Sequence, residues 1–95
     1  MDWSLVYRRA EGFLFQKMGE QAFLIPCRDG VASLTDVHVL DNEVALRVWE
    51  LFDGRNSLGD VRTAVLEEFD APPEVVEEDL ARFVTELARI GVVAA

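Results

Sequence analysis

The sequence predicts one α+β domain of winged-helix character: a three-stranded antiparallel sheet followed by three α-helices. Three observations carry this. A chain of 95 residues, 51% hydrophobic and 28% charged, suits one modest hydrophobic core. Its first part holds short aromatic and apolar runs broken by glycine pairs. From Asn42 onward apolar residues recur at helical spacing. The expected domain is residues 1–95.

Phe13-Leu14-Phe15-Gln16-Lys17-Met18 and Gln21-Ala22-Phe23-Leu24-Ile25-Pro26 flank Gly19-Glu20. Two β-type runs around a Gly-X pair read as a hairpin with a tight turn, Gly19 supplying the positive φ. Pro26 has no amide hydrogen, so it is expected to end the second strand or lie on an open edge. Arg28-Asp29-Gly30 is a further turn signal. The third strand is placed at Val37-His38-Val39-Leu40, with Val31 to Leu34 as a lead-in or a competing assignment.

The first helix follows a cap at Asp41 or Asn42, which can accept hydrogen bonds from free amides. Val44, Val48 and Leu51 form its apolar stripe, widened by Ala45, Trp49 and Phe52. It is expected to close at Asp53-Gly54, with Gly54 left-handed. Ser57 with Asp60 resembles a capping box for a second helix carrying Leu58, Val61, Val65 and Phe69. Pro73 suits the first turn of a third helix, whose acidic start complements the helix dipole. Val76, Leu80, Phe83, Leu87 and Ile90 run down one face of it, broadened by Val75 and Val84, and Gly91 ends it. That face is wider than one packing contact needs. Periodicity alone leaves open whether the excess is core or groove.

The residue inventory argues against catalysis. His38 is the one histidine and Cys27 the one cysteine, so neither a disulfide nor a cysteine-based zinc cluster is available. Glu74, Glu77, Glu78 and Asp79 fit dipole complementation and a solvated face better than a metal site. Gly54 and Gly59 are followed by no Lys-Ser or Lys-Thr pair, so no phosphate loop is read. Eighteen acidic residues against nine basic give a net charge of −9, which opposes binding to nucleic acid or anionic lipid. No apolar run approaches bilayer-spanning length, and the N-terminus lacks a signal-peptide pattern. A cytoplasmic protein without cofactor or metal is the expectation.

From Asn42-Glu43-Val44 through Val48-Trp49-Glu50-Leu51 to Asp53-Gly54, the sequence resembles the PqqD-like family. The resemblance continues through Ser57-Leu58-Gly59-Asp60-Val61, Glu68-Phe69-Asp70-Ala71-Pro72 and Phe83-Val84-Thr85-Glu86-Leu87 to Ile90-Gly91-Val92-Val93. Upstream, Phe23-Leu24-Ile25-Pro26 is similar to the family's second strand, so the resemblance implies a domain core over about residues 12–93. The chain departs from the pattern at Asp41, where leucine is common, and in a longer stretch from Arg28 to Asp36.

The resemblance implies three antiparallel strands, three helices and a peptide-binding role. Such domains hold the leader segment of a ribosomally made precursor peptide as an added strand and serve a radical S-adenosylmethionine enzyme. The prototype acts in pyrroloquinoline quinone biosynthesis. Carried onto this chain, the receiving edge is Val37, His38, Val39 and Leu40, and the wall is Val76, Leu80, Phe83, Val84 and Leu87. Iron–sulfur clusters would belong to the enzyme partner, since one cysteine cannot hold one. Two alternatives stand beside this: a winged-helix DNA-binding module, which the charge opposes, and a protein-interaction adaptor using the same edge. The sequence does not fix the oligomeric state.

Overall fold

The computed structural model describes residues 1–32 and 37–94. In chain order the elements are β1 (Val6–Arg9), β2 (Phe13–Met18), β3 (Gln21–Arg28), β4 (Val31–Ala32), β5 (His38–Leu40), α1 (Glu43–Leu51), β6 (Asp53–Ser57), α2 (Leu58–Glu68), α3 (Pro73–Arg89) and β7 (Val93–Ala94). The α+β class and the three helices stand as expected. The strands outnumber the three expected and form two antiparallel sheets.

In the larger sheet β3 is central. It pairs with β2 along one side, from Phe13↔Pro26 to Met18↔Gln21. Along its other side it pairs with β5 at Ala22↔Leu40 to Leu24↔His38, and with β4 at Cys27↔Ala32 and Arg28↔Val31. The β2–β3 hairpin turns at Gly19-Glu20, where Gly19 has φ 63° and Glu20 is not left-handed. A positive φ at the first turn residue alone is the type II′ pattern. β3 runs through Pro26 to Arg28 rather than ending there. The Cys27 amide donates to the Gly12 carbonyl at 2.8 Å, so the neighbouring Pro26 nitrogen faces the opposite side. On that side Pro26 falls between the stretches of β3 paired with β5 and with β4, where a missing donor costs little. The expected lead-in over Val31 to Leu34 is realised as β4 at its first two residues; Ser33 and Leu34 lie outside the described residues. The third strand is one residue shorter than expected, beginning at His38.

The second sheet has the order β6-β1-β7 and was not foreseen. β6 reads Asp-Gly-Arg-Asn-Ser and β7 is two residues long, so neither carries an alternating apolar pattern. Backbone pairing holds them instead. Val6 pairs with Ser57, Arg8 with Asp53 and Ala94, and Arg9 with Val93. The turn into β6 is built by the Asp53 carboxylate, which accepts from the amides of Arg55 at 2.9 Å and Asn56 at 3.0 Å. Gly54 is left-handed, at φ 80°, but it belongs to this turn; α1 stops earlier, where the Phe52 amide donates to Trp49 O at 3.2 Å.

The helix starts follow the sequence signals. Asn42 Oδ1 accepts from the Ala45 amide at 2.8 Å, which resolves the choice between Asp41 and Asn42. At α2 the capping box is complete: Ser57 Oγ accepts from the Asp60 amide at 3.1 Å, and Asp60 Oδ2 from the Ser57 amide at 2.9 Å. The two remaining free amides are taken by the N-terminal segment. Leu58 donates to Leu5 O and Gly59 to Trp3 O, both at 2.8 Å. A Cβ on Gly59 would sit 3.3 Å from Trp3 O, so glycine permits this approach. Arg62 then lies over the Trp3 ring, 4.7 Å from its centroid, while pairing with Glu77 at 3.1 Å.

The core gathers Ala22, Leu24 and Leu40 from the larger sheet with Leu46, Val48, Trp49, Phe52, Leu58, Val61, Val65, Val84, Leu87 and Val92. Burial of such side chains, at about 1.5–3 kcal/mol each for the larger aliphatic and aromatic ones, is the main stabilising term.

Ser57→Ala is expected to cost about 1 kcal/mol in urea denaturation. Removing residues 1–5 should speed amide hydrogen exchange at Leu58 and Gly59 ahead of the rest of α2. Hydrogen bonds donated by the backbone amides of Asn56 and then Arg55 hold the Asp53 carboxyl below its ordinary value. A carboxyl lowered in the folded state stabilises the fold above its unfolded pKa and loses that contribution as pH falls through the folded one. The Arg55 and Asn56 amide resonances should therefore titrate together, at a pH below the ordinary aspartate range.

Candidate functional site

The helical period of α3 divides its broad apolar face into two halves. Val84 and Leu87 point into the core, 2% and 0% exposed. Val76 and Leu80 are buried as well, 5% and 3% exposed, and floor the groove, while half-buried Phe83 stands at its boundary. Val75, Asp79, Arg82 and Glu86 follow one another at three- and four-residue steps on the outer side. The face left open by sequence periodicity is thus part core and part groove.

That groove has a volume of about 480 Å³. His38 from β5 and Asn42 at the start of α1 lie along it, with Val44, Ala45 and Val48 of α1. Val65 and Phe69 of α2 and Ala71 extend the apolar lining, and α3 contributes Val75, Val76, Leu80 and Phe83. Asp79, Arg82 and Glu86 supply its charges. These are largely paired among themselves and their neighbours: Arg82 with Asp79 at 2.8 Å, and Glu86 with Arg89 at 2.6 Å. The hydrogen bond from Arg89 is the main reason the Glu86 carboxyl lies below its ordinary value; burial opposes it, and the charges of Arg89 and then His38 add smaller lowering effects.

β5 borders this groove and has a free side. Among the described residues it pairs only with β3, so its other edge offers unpaired backbone groups. Strand alternation puts His38 and Leu40 on the helix-facing side of the sheet and Val39 on the outer side. Leu40 is buried opposite Ala22, and Val39 is exposed. Val37 is half-buried just before the strand. The His38 ring lies 6.2 Å from that of Phe83, which stacks at 6.4 Å on Phe52.

Of the nine residues singled out from the sequence, His38, Val76, Leu80 and Phe83 meet at the groove. Leu40, Val84 and Leu87 belong to the interior, where their side chains back the groove without lining it. Val37 and Val39 supply backbone beside it. Sequence reasoning assigned Val44, Ala45 and Val48 of α1 to the core and did not place them at the site. Val44 is 37% exposed, and the signal for it was its position at the start of an apolar stripe, before the packed turns.

In the acidic start of α3, Glu77 pairs with Arg62 and Asp79 with Arg82, and the described residues contain no group of three or more side chains placed to hold a metal ion. Cys27 is half-buried, with Sγ 3.7 Å from Ile25 O. No helix among the described residues is long and apolar enough to cross a membrane.

A protein-family model described as Coenzyme PQQ synthesis protein D (PqqD) matches residues 39–93, more than half of the chain. The match begins at the second residue of β5, after the β2–β3 hairpin, and covers the three helices with their groove residues; His38 lies just before it. Neither a curated protein nor a solved structure matches the chain.

Phe83→Ala is expected to lower stability by about 3 kcal/mol in urea denaturation, because the ring bridges the core to the groove. The resonances of Phe52 and His38 should move in the same variant.

Proposed function

The chain belongs to the PqqD family, and from that premise we propose that it is a non-catalytic peptide-binding protein. It holds the leader segment of a ribosomally made precursor peptide and presents it to a modifying enzyme of the radical S-adenosylmethionine class. The guest adds as a strand along β5 and sets alternate side chains into the groove beside α3. Its backbone amides and carbonyls meet the free edge, and its apolar side chains meet Val44, Val75, Leu80 and Phe83. Backbone pairing supplies an attachment that any extended chain can make; the pockets choose among sequences.

One observation supports this reading above the others: an unpaired strand edge runs beside an apolar groove of about 480 Å³. The groove's size is that of a site for several side chains rather than a packing defect. The DNA-binding alternative has the opposite electrostatics, since α3 opens with Glu74, Glu77, Glu78 and Asp79 and the chain carries −9. A pyrroloquinoline quinone pathway is the role the family description suggests, and another peptide-modification pathway would use the same groove.

Titrating the chain with the leader of a precursor encoded beside its gene tests the reading. Binding at micromolar affinity or tighter is expected, with chemical-shift changes at residues 37–44 and 75–86. Val75 is 47% exposed, so Val75→Glu should leave stability within about 0.5 kcal/mol while placing a charge in the groove. It is expected to weaken the peptide roughly tenfold, about 1.4 kcal/mol. Equal affinity for the variant and the parent chain would rule the groove out.

A further inference from the structure

We propose that β2 is a second docking edge, which takes an extended acidic segment of another protein. β2 is the outer strand of its sheet and pairs only with β3 among the described residues. One side of a six-residue backbone is therefore unpaired, twice the length of β5.

Beside it lies a slot of about 300 Å³ lined by Arg9, Phe13, Phe15, Lys17, Leu46, Trp49 and Glu50. Alternation along β2 puts Phe13, Phe15 and Lys17 on one face. Phe13 meets Trp49 edge to face at 5.3 Å, and Phe15 stacks on it at 6.2 Å with 15° between the planes. Phe15 nevertheless remains 44% exposed, so part of this aromatic surface is open.

The charge of the slot is opposite to that of the molecule. The ion pairs of the described residues use Arg47, Arg62, Arg82 and Arg89. Arg9 and Lys17 are in none of them. The Arg9 guanidinium lies 5.9 Å from the Trp49 ring centroid and reaches Trp49 O at 3.4 Å. Glu50, the slot's carboxylate, is held by Arg47 at 3.4 Å. Two cations beside an aromatic surface thus remain uncompensated on a chain of net charge −9. An added strand with carboxylates and apolar side chains alternating on its slot-facing side satisfies both. The long-range repulsion between two copies of so acidic a chain favours a different protein as the occupant. This site is separate from the β5 groove and does not depend on the reading given to that groove.

The test uses the full chain, isotope-labelled, and a synthetic peptide of about eight residues, the length of an ordinary strand. Its slot-facing positions alternate glutamate and leucine, with threonine between; a second peptide has lysine in place of glutamate. The glutamate peptide is expected to shift the amides of residues 13–18 and the Trp49 indole, and to release on raising salt to about 0.5 M. The lysine peptide should leave them unmoved. Lys17→Glu, at an exposed position, should weaken the glutamate peptide roughly tenfold. Arg9→Gln serves as the second variant, with folding checked by its spectrum. Equal response to the two peptides, shifts confined to residues 37–44 and 75–86, or no shift at all would overturn the proposal. So would sedimentation showing that copies of this chain already pair through β2.

Discussion

The buried ring of Phe52 is the joint on which this structure turns. It sits where α1 stops, with no exposed surface, and meets Tyr7 of the smaller sheet at 6.1 Å and Phe83 of α3 at 6.4 Å. Phe83 in turn lies against His38 on β5. A line of aromatic contacts therefore runs from the smaller sheet through the core to the free strand edge. Aromatic pairs at these separations add modestly to what area burial provides, but they fix relative orientation. The placement of the groove is a consequence of that line: α3 can stand no nearer to β5 than the Phe83 ring permits, and the space beside the ring stays open.

The helices were almost fully legible because each is specified by local chemistry. Asn42, Ser57 with Asp60, and Pro73 mark the three starts, and each acts through bonds to, or the absence of, an amide within its own first turn. The β2–β3 hairpin was legible for the same reason, since Gly19 and the flanking apolar residues are sequence neighbours. The smaller sheet was not. Its strands β6 and β7 are stabilised by pairing with β1, about fifty and eighty-five residues away in the chain, and their side chains carry no period. Pairing between distant backbones leaves little trace in composition.

The site was half legible. Periodicity showed that α3 has more apolar surface than one contact consumes, yet it could not divide that surface into core and groove. Leu80, Val84 and Leu87 share one buried face, Val75 lies on the far side of the stripe, and only the position of β5 and α1 decides where burial stops and the groove begins. The receiving edge was inferred through family resemblance, and the structure places His38 at the start of β5. The contribution of Val44, Ala45 and Val48 was read as packing because a stripe on α1 looks the same whether one side of it is covered or open.

The carbonyls of Trp3 and Leu5 close the start of α2, and β3 supplies the partner of β5, yet all of these precede the segment that the family model recognises. The cooperative unit is therefore larger than the recognisable one. An excised fragment of residues 39–93 would present α2 with two bare amides and β5 with no sheet to join, so its short strand would have nothing to hold it extended. In this protein the first third of the chain, outside the family match, is scaffolding for the part that carries the family's signature.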